Sequence, residues 1–248
     1  MENDPIGVID SGLGGISILK EVRKLLPFER YLYYGDSLHN PYGTKSQEEV
    51  WNYVDEIVTF LMAQHCKLII IACNTATMLT IARLRKKYPN FLFIGTEPAI
   101  KVAHDFFQTQ RVLVLATPNT MESERFLWLK KEYSLTKAIF LPCAFLADAI
   151  EQDDSLKVSL LLHKYLYPYR GKIDVVVLGC THYPFIKEEI VRELGTVSFI
   201  DSGVGIAKRT KYLLEQNHLL TNEKIGGVMF HNSAPPFSKK RYHELLDN

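Results

Sequence analysis

The sequence has no excess of charge of either sign and no long apolar run. Its 248 residues carry 29 Lys and Arg against 28 Asp and Glu, which gives a formal net charge of +1. A nearly neutral chain argues against nucleic acid or an anionic membrane as the main partner. The apolar runs are also far shorter than the roughly 20 residues that a membrane-spanning helix requires. We therefore expect neither nucleic acid nor a membrane as a partner.

Cysteine is scarce, and its spacing excludes two common uses. Cys66, Cys73, Cys143 and Cys180 form no Cys-x-x-Cys pair, and a chain of this length is not a disulfide scaffold. Together with His182 they show no metal-ligand spacing, so we expect no metal. The N-terminal residues lack the basic and apolar regions of a signal peptide. We expect a cytoplasmic protein with free thiols.

The hydrophobic pattern alternates between two periods. Hydrophobic residues make up 47% and charged residues 23%, which is ordinary for a globular protein. Strands are predicted at 6–10, 30–36, 67–73, 91–98, 111–118, 137–143, 174–180 and 197–201. Helices are predicted at 14–26, at 46–64 with a Ser46–Glu49 capping box, at 75–88, from about 121, up to about 167 and from about 184. The alternation predicts an α/β fold with parallel sheets covered by helices on both faces.

The second half of this series repeats the first. A shift of 107 residues brings LIIIAC (68–73) onto VVVLGC (175–180) and places Asp10 opposite Thr117. Ligands of open parallel sheets bind beyond the carboxyl ends of the strands. Two such domains facing each other would place Cys73 and Cys180 on opposite walls of one cleft.

Two opposed thiols predict a specific chemistry. Cys73 and Cys180 each follow a buried strand and precede a predicted helix, whose N-terminus lowers a thiol pKa from about 8.5 toward neutrality. One sulfur could then take a proton from a carbon while the other returns one to the opposite face. This is racemisation or epimerisation of an acidic C–H. Cys66 and Cys143 lack matched surroundings, and we interpret them as small buried hydrophobic residues.

Hydrogen-bonding groups accompany both thiols. Asn74 and Thr75 follow the first thiol, and Thr181 and His182 follow the second. The loop NPYGTKS (40–46) adds a rigid turn with backbone donors. Amides, hydroxyls and N–H groups of this kind suit a carboxylate ligand.

Six motifs in order, IGVIDSGLGG, YYGDSLHNPYGTKS, IIACNTAT, ATPNTMES, VVVLGCTHYP and IDSG, resemble the glutamate racemases of the cofactor-independent aspartate/glutamate racemase superfamily. DSGLGG together with PYGTKS is typical of the glutamate branch. The resemblance implies two pseudo-symmetric α/β domains, 1–96 plus 208–248 and 97–207, with the active site in the interdomain cleft. It also implies a homodimer that binds glutamate and needs neither pyridoxal phosphate nor a metal.

The same resemblance assigns roles to individual residues. Cys73 would deprotonate D-glutamate with help from Asp10, and Cys180 would deprotonate L-glutamate with help from His182 and Glu151. The implied substrate-binding residues are Asp10, Ser11, Pro41, Tyr42, Gly43, Asn74, Thr75, Thr117, Thr120, Thr181 and His182. The product, D-glutamate, would feed cell-wall peptidoglycan.

Two stretches depart from the family pattern. Leu38-His39-Asn40 stands where small or apolar and basic residues are commoner, and the proline usual after Cys143 is missing from the segment that leads to Glu151. The first departure lies in a predicted loop beside the cleft, and the second bears on the role of Glu151.

Other functions fit parts of the pattern. A racemase of aspartate or another acidic amino acid would differ only in pocket depth, which no spacing rule measures. A protein that binds an acidic amino acid without turning it over would not need both thiols. A cysteine hydrolase built on Cys180 and His182 is disfavoured, because the sequence shows no oxyanion partner and no third group.

Overall fold

The computed structural model describes residues 2–234 and 238–247. Its strands are β1 (Ile6–Asp10), β2 (Arg30–Gly35), β3 (Leu68–Ile71), β4 (Phe93–Gly95), β5 (Val112–Ala116), β6 (Ala138–Pro142), β7 (Val175–Gly179), β8 (Ser198–Ile200) and β9 (Gly227–Asn232). Its helices are α1 (Ile16–Leu25), α2 (Gln47–Ala63), α3 (Asn74–Lys87), α4 (Ile100–Phe107), α5 (Pro118–Glu122), α6 (Glu124–Glu132), α7 (Leu146–Glu151), α8 (Ser155–Leu166), α9 (Lys187–Leu194), α10 (Gly203–Gln216) and α11 (Lys239–Asp247).

Two sheets organise these elements. The strand order is β4-β3-β1-β2-β9 in the first sheet and β6-β5-β7-β8 in the second. The pairings in both sheets are parallel. If β1, β2, β3 and β4 are matched with β5, β6, β7 and β8, respectively, the two sheets have the same strand order. The first sheet has one additional strand, β9. The predicted α/β fold with two parallel sheets is confirmed, and the second sheet repeats the topology of the first.

The register repeats almost to the residue. Ile6 lies opposite Leu68 in the first sheet, and Val112 lies opposite Val175 in the second. The 107-residue shift carries Leu68 onto Val175 and carries Ile6 to within one residue of Val112. Equivalent strands therefore end at equivalent heights, which brings the residues that follow them to the same edge of each sheet.

Burial on both faces explains the continuous apolar runs. Every residue of β1, β3, β5 and β7 is buried. Along β1, Ile6 and Val8 pack in the core beneath α1, whereas Ile9 packs in the core beneath α2. A strand with a core on each side has no polar face, so its sequence does not alternate.

The C-terminal part of the chain packs on the first sheet. β9 pairs with β2, and α10 and α11 both pack against α1. A buried ion pair holds the connection, because Lys67 Nζ lies 2.6 Å from Glu29 Oε2 and also donates to Leu219 O at 2.8 Å. The backbone N–H of Thr221 donates to the other oxygen of Glu29 at 3.0 Å. The strand β9 and the helices α4 and α11 were not among the predicted elements.

Two predicted helices differ in detail. The Ser46–Glu49 capping box is present at the start of α2, as predicted. The helix predicted from about residue 121 is instead two short helices, because Ser123 is extended and its Oγ accepts the N–H of Phe126 to begin α6. The helix predicted from about residue 184 begins as a 3-10 turn over Tyr183–Ile186, and α9 follows at Lys187.

Within residues 2–234 and 238–247, no helix combines the length and the apolar character needed to cross a membrane. The same residues contain no group of three or more His, Cys, Asp and Glu side chains placed to hold a metal ion.

Candidate active site

A cavity of about 30 Å³ lies between the carboxyl ends of the two sheets. Both Cys73 and Cys180 line it. The other predicted site residues in its lining are Ser11, Pro41, Tyr42, Gly43, Asn74, Thr75, Thr117, Thr181 and His182. Asp10, Thr120 and Glu151 lie behind this lining. The structure thus brings the predicted residues to one place, with three of them in a supporting layer.

Cys73 caps the N-terminus of α3. Its Sγ accepts the backbone N–H of Ala76 at 3.5 Å and lies 3.8 Å from the hydroxyl of Ser11. Burial and the nearby charge of Asp10 nevertheless raise the pKa of Cys73 to about 12. The prediction that the helix N-terminus lowers this pKa toward neutrality is therefore wrong, because desolvation outweighs one backbone hydrogen bond.

Cys180 has different surroundings. The chain after β7 enters the 3-10 turn rather than an α-helix, so the prediction of a helix N-terminus at this thiol is wrong. Instead the Cys180 Sγ lies 3.8 Å from His182 Nδ1, and His182 Nε2 lies 2.8 Å from Glu151 Oε2. Sulfur, imidazole and carboxylate form a chain. Its third member is Glu151, which the resemblance had assigned to this thiol but which the residues next to Cys180 in the sequence did not show.

The imidazole and carboxylate of this chain favour their charged forms. Burial alone lowers the pKa of His182, but its hydrogen bonds with Cys180 and Glu151 raise that pKa well above the ordinary value. Burial alone raises the pKa of Glu151, but its hydrogen bond with His182 and those from Leu13 N and Ser37 Oγ, both at 2.9 Å, leave it below the ordinary value. His182 and Glu151 therefore form a hydrogen-bonded ion pair directly beside Cys180.

Asp10 links the two sheets. It ends β1, is fully buried, and accepts a hydrogen bond from Thr181 Oγ1 at 3.0 Å and one from the N–H of Gly12 at 3.2 Å. Burial raises its pKa to about 6, with the charge of Glu151 adding to the shift and that of His182 opposing it. Asp10 therefore acts on Cys73 as a nearby charge, while its hydrogen bonds hold Thr181.

The glycines of DSGLGG allow this close packing. A Cβ on Gly12 would overlap the carboxylate of Glu151, and a Cβ on Gly14 would overlap the imidazole of His182 and lie 2.6 Å from Thr181 Oγ1. The loop after β1 therefore reaches the second half of the molecule only because these positions carry no side chain.

Three hydroxyls join the two halves on the other side of the cavity. Thr75 Oγ1 lies 2.9 Å from Thr117 Oγ1 and 3.2 Å from Thr120 Oγ1. Thr75 follows β3 in the first sheet, whereas Thr117 and Thr120 follow β5 in the second. Thr120 thus supports the lining rather than forming it.

Two amides at the cavity have polar atoms without partners. Neither side-chain polar atom of Asn40, nor the Oδ1 of Asn74, has a hydrogen-bond partner within the described ranges, although all three atoms are buried. Both residues line the cavity. Buried polar atoms are nearly always satisfied, so these atoms indicate a polar ligand. Asn40 was not among the predicted binding residues.

The unusual loop before Pro41 has a clear structural role. The Nδ1 of His39 lies 2.9 Å from Asp36 Oδ1, and the imidazole stacks on Tyr53 with ring centres 3.8 Å apart. Asp36 in turn accepts the hydroxyl of Tyr42 at 2.5 Å. His39 thus supports, through Asp36, a tyrosine in the cavity lining. Asp148 and Phe145 also line the cavity and were not predicted.

The fold and the pair of thiols indicate one class of protein, the racemases that the sequence resembles, and comparison with known families agrees. The chain belongs to the Asp/Glu/Hydantoin racemase family, whose model matches residues 6–209. It is 40% identical over 238 residues to the glutamate racemase of Clostridium botulinum strain Alaska E43, covering 94% of this chain and 92% of the relative. It is 41% identical to that of Clostridium acetobutylicum, covering 94% and 93%. The crystal structure of glutamate racemase from Francisella tularensis with D-glutamate matches with a TM-score of 0.84 and 31% identity, covering 100% of this chain and 95% of that one. The resemblance seen in the sequence is confirmed.

Proposed function

We propose that this protein is a glutamate racemase that interconverts L- and D-glutamate with two cysteines and no cofactor. The observation that carries the proposal is the placement of Cys73 and Cys180 in the lining of one cavity, each at the end of an equivalent strand. The substrate follows from the relatives, which are glutamate racemases and include one crystallised with D-glutamate.

The two thiols would divide the reaction into two proton transfers. The Cys180 thiolate takes the α-proton of L-glutamate, and the electron pair of the C–H bond stays on the α-carbon. The Cys73 thiol then gives its proton to the opposite face, which forms D-glutamate and leaves Cys73 as the thiolate. The reverse direction starts from this state. The raised pKa of Cys73 supports a cycle that begins with the proton on Cys73.

The unpaired amides would hold the amino acid. Asn40 and Asn74 offer donors and acceptors that no described side chain satisfies, and the hydroxyls of Ser11, Thr75 and Thr181 line the same cavity. Groups of this kind bind a carboxylate and an ammonium without a metal.

The cavity would have to widen to admit glutamate. Its volume of about 30 Å³ has room for one or two water molecules. We propose that the parts that move are the predicted domains, 1–96 plus 208–248 and 97–207. In the cell, a cytoplasmic homodimer would supply D-glutamate for peptidoglycan.

The deciding experiment is NMR of the purified protein with L-glutamate, and separately L-aspartate, in deuterated water without added cofactor. We expect loss of the glutamate α-proton signal and formation of D-glutamate. Exchange with aspartate alone would keep the mechanism and change the substrate, and exchange with neither would favour a binding protein. A cysteine hydrolase would be detected in a separate assay, by cleavage of an ester or amide substrate.

Substitution of single cysteines tests the mechanism. Cys73→Ala and Cys180→Ala should each abolish racemisation and leave the fold intact. Cys66→Ala is the matched control, since Cys66 is buried and does not line the cavity, and it should keep turnover close to that of the wild type. Cys143 does line the cavity but also packs in the apolar core of the second sheet, and we expect Cys143→Ala to keep turnover close to that of the wild type as well. Racemisation by either active-site variant at near the wild-type rate would refute the two-thiol mechanism.

A further inference from the structure

Glu151 lies at the end of a helix that is too short to be stable by itself. It is the last residue of α7, a helix of six residues. A helix this short has little stability of its own in water. Its N-cap residue, Phe145, has φ 62°, a left-handed conformation that is uncommon for a bulky residue, and Asp153, just beyond its end, has φ 60°. Contacts with other elements must therefore set the position of Glu151.

Arg241 of α11 supplies one such contact. Its Nη1 donates to the carbonyl oxygen of Glu151 at 2.8 Å, and its Nη2 donates to that of Ile150 at 3.1 Å. These carbonyls belong to the last turn of α7, where carbonyl groups lack partners within the helix and a cation is favourable. The guanidinium, about one-third exposed, thus closes the end of the helix that carries Glu151.

The carboxylate of Glu151 is held from the same direction. Its Oε1 accepts the hydroxyl of Ser37 at 2.9 Å, and the Ser37 oxygen accepts Asn232 Nδ2 at 2.9 Å. Asn232 ends β9, and its Nδ2 also donates to the hydroxyl of Tyr242 in α11 at 2.6 Å. The C-terminal segment therefore reaches both ends of the Glu151 residue, the backbone through Arg241 and the carboxylate through Ser37.

We propose that Arg241 is a positioning residue for the proton transfer at Cys180, because it fixes the helix end from which Glu151 reaches His182. This inference rests on the proposed function, in which His182 and Glu151 assist Cys180. Arg241 does not line the cavity that holds the thiols, so its loss should affect turnover through geometry rather than through substrate binding.

The main test compares Arg241→Gln and Arg241→Lys with Lys240→Gln. Lys240 is the preceding residue of α11, is highly exposed and pairs only loosely with Glu244 at 3.6 Å. A misplacement of about 1 Å in a reacting group can cost about 100-fold in rate. We expect Arg241→Gln to lower kcat about 10- to 100-fold with little change in KM, Arg241→Lys to lower it less, and Lys240→Gln to match the wild type.

Isotope effects separate positioning from a general loss of structure. The enantiomers have equal free energy, so any change in kcat/KM must be the same factor for L-glutamate and for D-glutamate. If the Cys180 step alone has slowed, the isotope effect on kcat/KM rises for α-deuterated L-glutamate and falls for α-deuterated D-glutamate. A damaged fold would lower the active fraction and leave both isotope effects unchanged.

Ser37→Ala provides a second variant if Arg241→Gln melts at a much lower temperature. It removes only the hydroxyl bound to Oε1 and should shift the isotope effects in the same sense. Wild-type kcat in the Arg241 variants, or a lower kcat with unchanged isotope effects, would overturn the inference. Cys180→Ala, measured in the same assay, distinguishes failure of this inference from failure of the proposed function. Racemisation without the Cys180 thiol would overturn the proposed function itself.

Discussion

A single methyl group on Gly14 should disable the enzyme while leaving it folded. The Cβ of Gly14→Ala would overlap the His182 imidazole and lie 2.6 Å from Thr181 Oγ1. Ordinary contacts between heavy atoms begin near 3.5 Å, so the loop and these side chains must separate by about 1 Å. The imidazole cannot yield freely, because hydrogen bonds hold it to Glu151 at 2.8 Å and align it with Cys180.

The size of the effect follows from that displacement. A shift of about 1 Å at a group that assists proton transfer corresponds to about 100-fold in kcat. Overpacking of a tight core costs about 1–3 kcal/mol of stability, which a folded domain with a stability of about 5–15 kcal/mol can tolerate. Racemisation is measured by the change in circular dichroism of glutamate, and unfolding by thermal melts of the same samples.

The sequence contains its own control for this substitution. Gly205 occupies the position of Gly14 in the second IDSG motif, IDSGVGI, but it lies in α10, where a methyl group in place of its hydrogen would meet nothing within 4 Å. Alanine in a helix is favoured over glycine by about 0.5–1 kcal/mol, so Gly205→Ala should keep full activity and melt slightly higher. The reasoning is refuted if Gly14→Ala keeps kcat within about threefold of the wild type, because the contact would then not position the imidazole.

Two further predictions concern stability. Burial raises the pKa of Asp10 from 3.8 to about 6, so its contribution to stability is full below about pH 4 and is lost as the pH rises through 6. Urea unfolding measures the difference between the free energies of unfolding of Asp10→Asn and of the wild type. This difference should be more favourable to the variant at pH 8 than at pH 4 by on the order of 3 kcal/mol. An equal difference at both pH values would contradict the burial argument. Lys67→Met leaves Glu29 as an unpaired buried charge and should lower the free energy of unfolding by about 3–5 kcal/mol. Lys87→Gln, which removes an exposed partner of Asp55, is its control and should barely change Tm; similar losses for both would rule out the buried pair as the cause.

The buried strands were predictable because burial on both faces leaves a continuous apolar run. β1, β3, β5 and β7 consist almost entirely of apolar residues, and residues of the site lie at or within two positions of the end of each strand. β9 gave no comparable signal. It is an edge strand that alternates between exposed and half-buried residues, with Met229 62% exposed, and its partner β2 is nearly 200 residues earlier in the chain.

The site was predictable in its residues but not in its electrostatics. Local sequence placed Cys73 before a helix, which favours a lower pKa, whereas desolvation and Asp10 raise it, and both of those effects arise only from tertiary packing. The contact between His182 and Glu151 joins residues 31 positions apart. The sequence marked Asn40 only as part of an unusual loop beside the cleft, because an unsatisfied amide is visible only when its neighbours are known.

The two thiols occupy equivalent places in the fold but not equivalent surroundings. Cys73 has a helix N-terminus and a nearby carboxylate, whereas Cys180 has an imidazole backed by Glu151. A repeated α/β unit is related to its copy by rotation, and rotation cannot turn a site for one enantiomer into its mirror image. The two enantiomers therefore meet different protein groups on the two sides of the α-carbon. Different surroundings of the two thiols are then consistent with the proposed reaction, and the isotope effects of the Arg241 variants measure the two sides separately.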